Sequence, residues 1–261
     1  MTLSRREFVQ AGIATGAVLT LGSAAAKPVV GLIAPPENYP VPPEGITLYD
    51  NVTTFKMFSL GVKEMTPAGF DPYIEKIVPG AQQLAKEGAN GIVIFGTSLT
   101  FYRGAAFNQK LIDDVRKATG LKTTSMSSAV IDGLKEMNAK RIAVATAYAD
   151  EINGRLKTFL REHNFEVLIL RGLGLEKIAS VSNVTQPELQ KFGEGVFREA
   201  PKADAMLVSC GGLRTLELLA PWEASCKVPV VSSTPHALWA AARLVSANAR
   251  VPGYGRLIAK G

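Results

Sequence analysis

Short apolar runs alternate along the chain with longer segments in which apolar residues recur every three or four positions. The runs are PVVGLIA (28–34), GIVIFG (91–96), RIAVATA (141–147), EVLILRG (166–172), AMLVSC (205–210) and VPVVSS (228–233), with the shorter, more polar LKTTSM (121–126). Runs of this length, bounded by turn residues, read as strands buried on both faces. The helical pattern covers roughly 72–86, 107–120, 128–138, 150–164, 186–199, 214–225 and 236–246, and Gly120 supplies a stop signal for the second of these. Residues 35–50 are rich in proline and read as a loop. Strands alternating with amphipathic helices predict a parallel sheet and the α/β class.

An internal echo refines this. VIFGTSL (93–99) and LVSCGGL (207–213) share one design: a strand, a turn of small residues, then Leu. TTSMSSAVIDGL and PVVSSTPHALWA form a second matched pair. The spacing is too irregular for a repeat array. It predicts two similar α/β halves with a site between their strand ends, where open α/β sheets bind ligands. On this alignment Gly96 stands where Cys210 stands in the other half.

Composition narrows the function. The 261 residues are 47% hydrophobic and 20% charged, which suits a globular protein with a full core. Net charge is +6, with no block of consecutive Lys or Arg, and the 7% of aromatics do not interleave with basic residues. Nucleic acid is therefore not an expected partner, and a small anionic substrate is. The first 26 residues read separately. Arg5 and Arg6 precede an uncharged run, VQAGIATGAVLTLGSAAA, which ends in small residues. This order predicts an export signal cleaved near Ala26, and the paired arginines resemble a twin-arginine signal. The implied location is periplasmic or secreted, with transient contact with the export machinery and no stable membrane association.

The chemistry centres on one thiol. Cys210 ends a strand and is followed by Gly211 and Gly212, whose backbone N–H groups are open to close approach. A helix predicted from 214 would add its N-terminal dipole. Cys226 precedes a buried strand and reads as core. The predicted helix between the cysteines, roughly 18 Å long at 1.5 Å per residue, holds them beyond the ~7 Å reach of a disulfide. His163 and His236 lie in separate segments without ligand spacing, so no metal site is expected; His163, at a polar helix end, reads as solvated. GTSLT lacks the last glycine of a nucleophile elbow, and GLGLEK (172–177) is only a fragment of a dinucleotide fingerprint. Thr97, Ser98 and Tyr148 each stand at a strand end, where a hydroxyl can donate to an anionic oxygen.

GTSLTFYRGAAFN (96–108), ATAYADEINGRL, LVSCGGLRTL, VPVVSSTPHALW and the terminal PGYGRL resemble the arylmalonate decarboxylases of the aspartate/glutamate racemase superfamily, across roughly residues 28–257. The resemblance implies two pseudosymmetric, flavodoxin-like halves: 27–133 with 232–261, and 134–231. It implies a cofactor-free enzyme that removes CO2 from a disubstituted malonate and protonates the enediolate on one face. Cys210 would be the proton donor. Thr97, Ser98 and Tyr148, with the N–H groups of Cys210 and Gly211, would hold the retained carboxylate. Val62, Met65, Ile178 and Val181, with Pro35, Phe70 and Leu99 nearby, would form an apolar pocket for the leaving carboxylate. Racemases of the superfamily use two opposed cysteines; with Gly96 in the second place, protonation should be one-handed. A racemase or cis–trans isomerase of another small carboxylate, and an exported carboxylate-binding protein, are the alternatives. The thiol must be neutral to act. A helix dipole would lower its pKa, while apolar walls and a dianionic substrate would raise it; the second influence is expected to win.

Overall fold

The computed structural model describes residues 26–261; the expected export signal, Ala26 apart, lies outside them. The described chain forms two four-stranded parallel sheets. The first contains β1 (Val29–Ala34), β2 (Thr54–Ser59), β3 (Gly91–Ile94) and β4 (Lys122–Ser125) in the order β2-β1-β3-β4. The second contains β5 (Arg141–Tyr148), β6 (Glu166–Leu175), β7 (Ala205–Ser209) and β8 (Val230–Ser232) in the order β6-β5-β7-β8. The two orders are the same once β1 is matched to β5. No helix of the described residues is long and apolar enough to cross a membrane.

Register places the two halves residue by residue. Ile94 of β3 lies opposite Ile33 of β1 and Ser125 of β4. Val208 of β7 lies opposite Ala145 of β5 and Ser232 of β8. Ile94 and Val208 are thus equivalent, and two residues on, Gly96 is equivalent to Cys210. The central strands are buried except at Val29 and Arg141, the first residues of β1 and β5, as their apolar runs require, while β2 and β6 at the sheet edges are half exposed. The helix Ser233–Leu244 follows β8 but packs on β3, β4 and the helix Met126–Glu136. The chain end therefore returns to the first sheet and ties the halves together.

Four local expectations are corrected. β2 was not foreseen: its TFKMFS run alternates poorly because both faces are partly exposed. A helix, Pro43–Tyr49, interrupts the predicted Pro-rich loop, with Pro43 at its first position, where no N–H is needed. The helix expected over 214–225 begins late. Residues Leu216–Leu218 are a 3-10 turn, and the α-helix runs Leu219–Cys226. Pro221 explains this, since it cannot bond back to the carbonyl of Glu217 and its ring crowds it. A similar break divides the predicted 72–86 helix into a 3-10 segment, Asp71–Lys76, and the helix Ile77–Lys86.

Candidate active site

A cavity of about 510 Å³ opens at the carboxyl ends of the strands, beneath the Pro-rich segment. Pro35 follows β1, Gly96 follows β3 and Cys210 follows β7, and all three line it. Thr97, Ser98, Gly211, Met65, Phe70, Ile178 and Val181 line it as well, so the structure gathers most of the expected residues in one place. Val62 and Leu99 are buried but do not reach the cavity surface, and Tyr148 lies behind the wall.

The donors are held by short-range geometry. Thr97 and Ser98 open a five-residue helix, Thr97–Phe101, whose N-cap is Gly96. Tyr148 is the last residue of β5. Its backbone is fixed by a chain in which Thr146 Oγ1 donates to Asn153 Oδ1 at 2.6 Å and Asn153 Nδ2 donates to the Tyr148 carbonyl at 2.8 Å. The Tyr148 ring is wholly buried, edge-on to Phe101 with centroids 5.7 Å apart. Its hydroxyl lies 3.2 Å from Ser209 Oγ. Burial drives its pKa far up, reinforced by the charge Cys210 would carry and only partly offset by hydrogen-bonding contact with Ser209, Thr97 and Ser98. Tyr148 is accordingly a phenol, and a donor, at any working pH.

Cys210 is 6% exposed, and its Sγ lies 4.0 Å from Met65 Sδ. Burial pushes the thiol up to about 11, against the backbone N–H groups of Gly212 and Leu213 and the Tyr148 hydroxyl, which pull it down. The expected pull of a helix dipole is replaced by these turn N–H groups, because no regular helix starts before Leu219. The thiol is therefore neutral across the physiological range from the protein's own environment. Its backbone N–H, expected to face a carboxylate, donates to Ser233 Oγ at 3.1 Å. Both cysteines are free.

The apolar wall is built by two loops from opposite halves. The segment after β2 and the segment after β6 join in an antiparallel bridge between Glu64 and Lys177. Met65 N donates to the Glu176 carbonyl at 2.6 Å, and Ile178 N donates to the Lys63 carbonyl at 3.0 Å. This pairing sets Met65 beside Ile178 and Val181. The other wall is Gly96, where a Cβ would lie only 2.5 Å from Pro35 Cγ.

Several cavity residues carried no sequence signal. Tyr39 and Glu44 line the cavity from the Pro-rich segment, which has no periodicity, and Arg214 lines it from the start of the predicted 214–225 helix, where it was given no role. Tyr39 is pushed up to about 12 by burial, then by the charges of Glu44 and Cys210, with Arg214 opposing. Ser233 belongs to the second echo pair, a signal that was visible but assigned no role. The histidines sit elsewhere. His236 is buried, with Nδ1 2.9 Å from the Ser232 amide, and burial lowers its pKa to about 4. His163 is not solvated as expected: it packs on Phe159 with centroids 4.7 Å apart, its Nε2 is buried without a partner, and burial lowers its pKa.

The chain is similar to known proteins over most of its length. The family model described as Arylmalonate decarboxylase matches residues 30–258. The arylmalonate decarboxylase of Bordetella bronchiseptica is 43% identical over 234 residues, 89% of this chain and 97% of that protein. A maleate isomerase of Nocardia farcinica is 24% identical over 135 residues, 51% of this chain and 53% of that protein. Among solved structures, unliganded arylmalonate decarboxylase superposes with a TM-score of 0.82 at 42% identity, covering 90% of this chain and all (100%) of that one. A liganded double variant of arylmalonate decarboxylase gives a TM-score of 0.87 at 41% identity, with the same coverage of 90% and 100%. A Nocardia farcinica maleate cis–trans isomerase, at 18% identity and a TM-score of 0.83, covering 90% and 100%, shares the fold.

Proposed function

The chain belongs to the arylmalonate decarboxylase family, and from that premise we propose that it is a carboxy-lyase acting on aryl- or alkyl-substituted malonates. The observation that carries this reading is a buried thiol held neutral beside a cluster of hydroxyl and amide donors, with glycine in the equivalent place of the other half. One malonate carboxylate sits on Thr97, Ser98 and the Gly211 amide, backed by the Tyr148 phenol. The other is set against Met65, Phe70, Ile178 and Val181. A carboxylate among such side chains loses hydration, whereas CO2 is apolar and does not. The bond to the leaving carboxylate breaks, and its electron pair passes through the α-carbon onto the retained carboxylate, giving an enediolate. Donors aimed at that charge lower the barrier, each by about 3–4 kcal/mol. Cys210 then transfers its proton to the α-carbon, leaving a thiolate that water reprotonates. No step calls for a cofactor.

The same thiol argues against the alternatives. A racemase needs a second acid–base group opposite the first, and that place is Gly96. A binding protein has no use for a thiol poised as an acid. Incubation with phenylmalonate and with methylphenylmalonate tests the reading: CO2 is released from both, and the second gives one enantiomer of 2-phenylpropionate. Tight carboxylate binding without CO2 release identifies a binding protein instead, and racemic product refutes one-sided protonation. The paired Arg5 and Arg6 support export of the folded enzyme by the twin-arginine route. Fractionation of cells carrying the full chain, or a variant with both arginines replaced by lysine, tests that; an unchanged distribution refutes it.

A further inference from the structure

We propose that Ser233 is the positioning residue of the anion site: it holds the Thr97 hydroxyl and the Cys210 amide in register and drives a hydrogen bond into Thr97 when Thr97 donates to a carboxylate. The proposal rests on the functional reading above. Ser233 Oγ accepts from Thr97 Oγ1 at 2.8 Å and from the Cys210 N–H at 3.1 Å. One buried oxygen thus joins a donor that follows β3 to a donor that follows β7. Ser233 is 1% exposed, so this link is shielded from solvent.

The symmetry of the halves separates this role from simple scaffolding. Ser125 and Ser232 are equivalent by register, which makes Met126 the counterpart of Ser233 and Ser127 the counterpart of Thr234. Ser127 Oγ donates to the Thr97 carbonyl at 2.9 Å, and Thr234 Oγ1 donates to the Gly211 carbonyl at 2.8 Å. These matched bonds pin the two loops in the same way. The position before them differs. Met126 Sδ lies 2.9 Å from Thr97 Oγ1, so Thr97 is bracketed by Met126 on one side and Ser233 on the other. A thioether is a weak acceptor and donates nothing, whereas a serine hydroxyl has one proton and two acceptor sites. Of these two neighbours, only Ser233 can therefore support Thr97 as a donor. A carboxylate is a stronger acceptor than a hydroxyl or a thioether. When it takes the Thr97 proton, the Ser233 proton turns onto Thr97 Oγ1, and the two hydroxyls form a polarised chain ending on the developing enediolate. The Cys210 amide stays on the second lone pair of Ser233 Oγ, which sets its position.

The test compares Ser233→Thr with Ser233→Val, which match in shape and differ only in the hydroxyl. With phenylmalonate, the Thr variant should keep kcat within about three-fold of the parent, while the Val variant loses about 10- to 100-fold. KM should rise by less than kcat falls, and with methylphenylmalonate the product should remain one enantiomer, since the thiol is untouched. In a Thr97→Val background, Ser233→Val should cost less than about three-fold, because the hydroxyl it supports is gone. Equal kcat for the Thr and Val variants, or a Ser233→Val loss undiminished by Thr97→Val, overturns the proposal. A parent that releases no CO2 fails the functional reading alone. The same pair is then compared by calorimetric affinity for phenylacetate, where weaker binding by Val supports the role of Ser233 and equal affinity overturns it.

Discussion

Replacing Gly96 by cysteine should install a second thiol opposite Cys210, at a steric cost that the structure sets. Gly96 has φ −154° and ψ 111°, an ordinary extended conformation, so a side chain brings no backbone strain. Its Cβ would lie 2.5 Å from Pro35 Cγ, 2.9 Å from Pro35 Cδ and 3.2 Å from Leu99 Cβ. Carbon atoms rest at about 3.5 Å or more, so the Pro35 ring must withdraw by about 1 Å. Ring pucker covers only part of that, and the end of β1 must follow. Overpacking of this kind costs about 1–3 kcal/mol. For a chain of this size that lowers the melting temperature by roughly 2–12 °C. Gly96→Ala should show the same loss without the thiol. One enantiomer of 2-phenylpropionate, incubated in D2O and followed by chiral chromatography and mass, should racemise and take up deuterium with Gly96→Cys, and do neither with Gly96→Ala or the parent. Decarboxylation should fall in both variants, because Pro35 lines the cavity. A folded Gly96→Cys protein with a titratable new thiol and no exchange would refute the equivalence of positions 96 and 210. An unchanged melting temperature in both variants would refute the Pro35 contact.

Three further outcomes follow from the same geometry. The Cys210 thiol titrates near 11 when folded against about 9 in the unfolded chain, so the folded state keeps its proton longer; stability is complete below pH 9 and declines by about 3 kcal/mol as pH rises through 11. Urea unfolding at pH 8 and pH 11 should show a smaller alkaline loss in Cys210→Ser than in the parent, and equal losses would contradict a buried neutral thiol. His236 has the opposite sign: its folded pKa is near 4, so stability present above pH 6.5 is lost as pH falls toward 4, by about 3 kcal/mol. An NMR titration that finds the His236 ring protonating near 6.5 in the folded protein would remove that contribution. A Cβ at Gly212 would meet Val181 Cγ1 at 2.9 Å, so Gly212→Ala should push Val181 into the cavity and lower kcat/KM for phenylmalonate about ten-fold or more, with the melting temperature little changed. Full activity would show that Val181 yields away from the substrate.

The fold was legible because its signal is local. Central strands buried on both faces need continuous apolar runs, and those runs stand out in any window of the chain. β2 escaped because an edge strand is half exposed, and the late start of the helix Leu219–Cys226 escaped because one proline, not the hydrophobic period, sets it. The candidate site divides in the same way. Cys210, Gly96, Thr97, Ser98 and Tyr148 were found because each follows or ends a strand.

The apolar wall is a matter of tertiary structure, since the loops carrying Met65 and Ile178 are over a hundred residues apart and meet only through the Glu64–Lys177 bridge. The same holds for Ser233, which reaches Thr97 because its helix crosses back onto the first sheet. By itself the sequence determined two equivalent α/β halves, a thiol at one strand end and a glycine at the other, because strand order and chain order carry that information residue by residue. The charge state of that thiol was decided only by folding. A pKa depends on what surrounds the sulfur on all sides, and here burial outweighs the N–H groups of the turn.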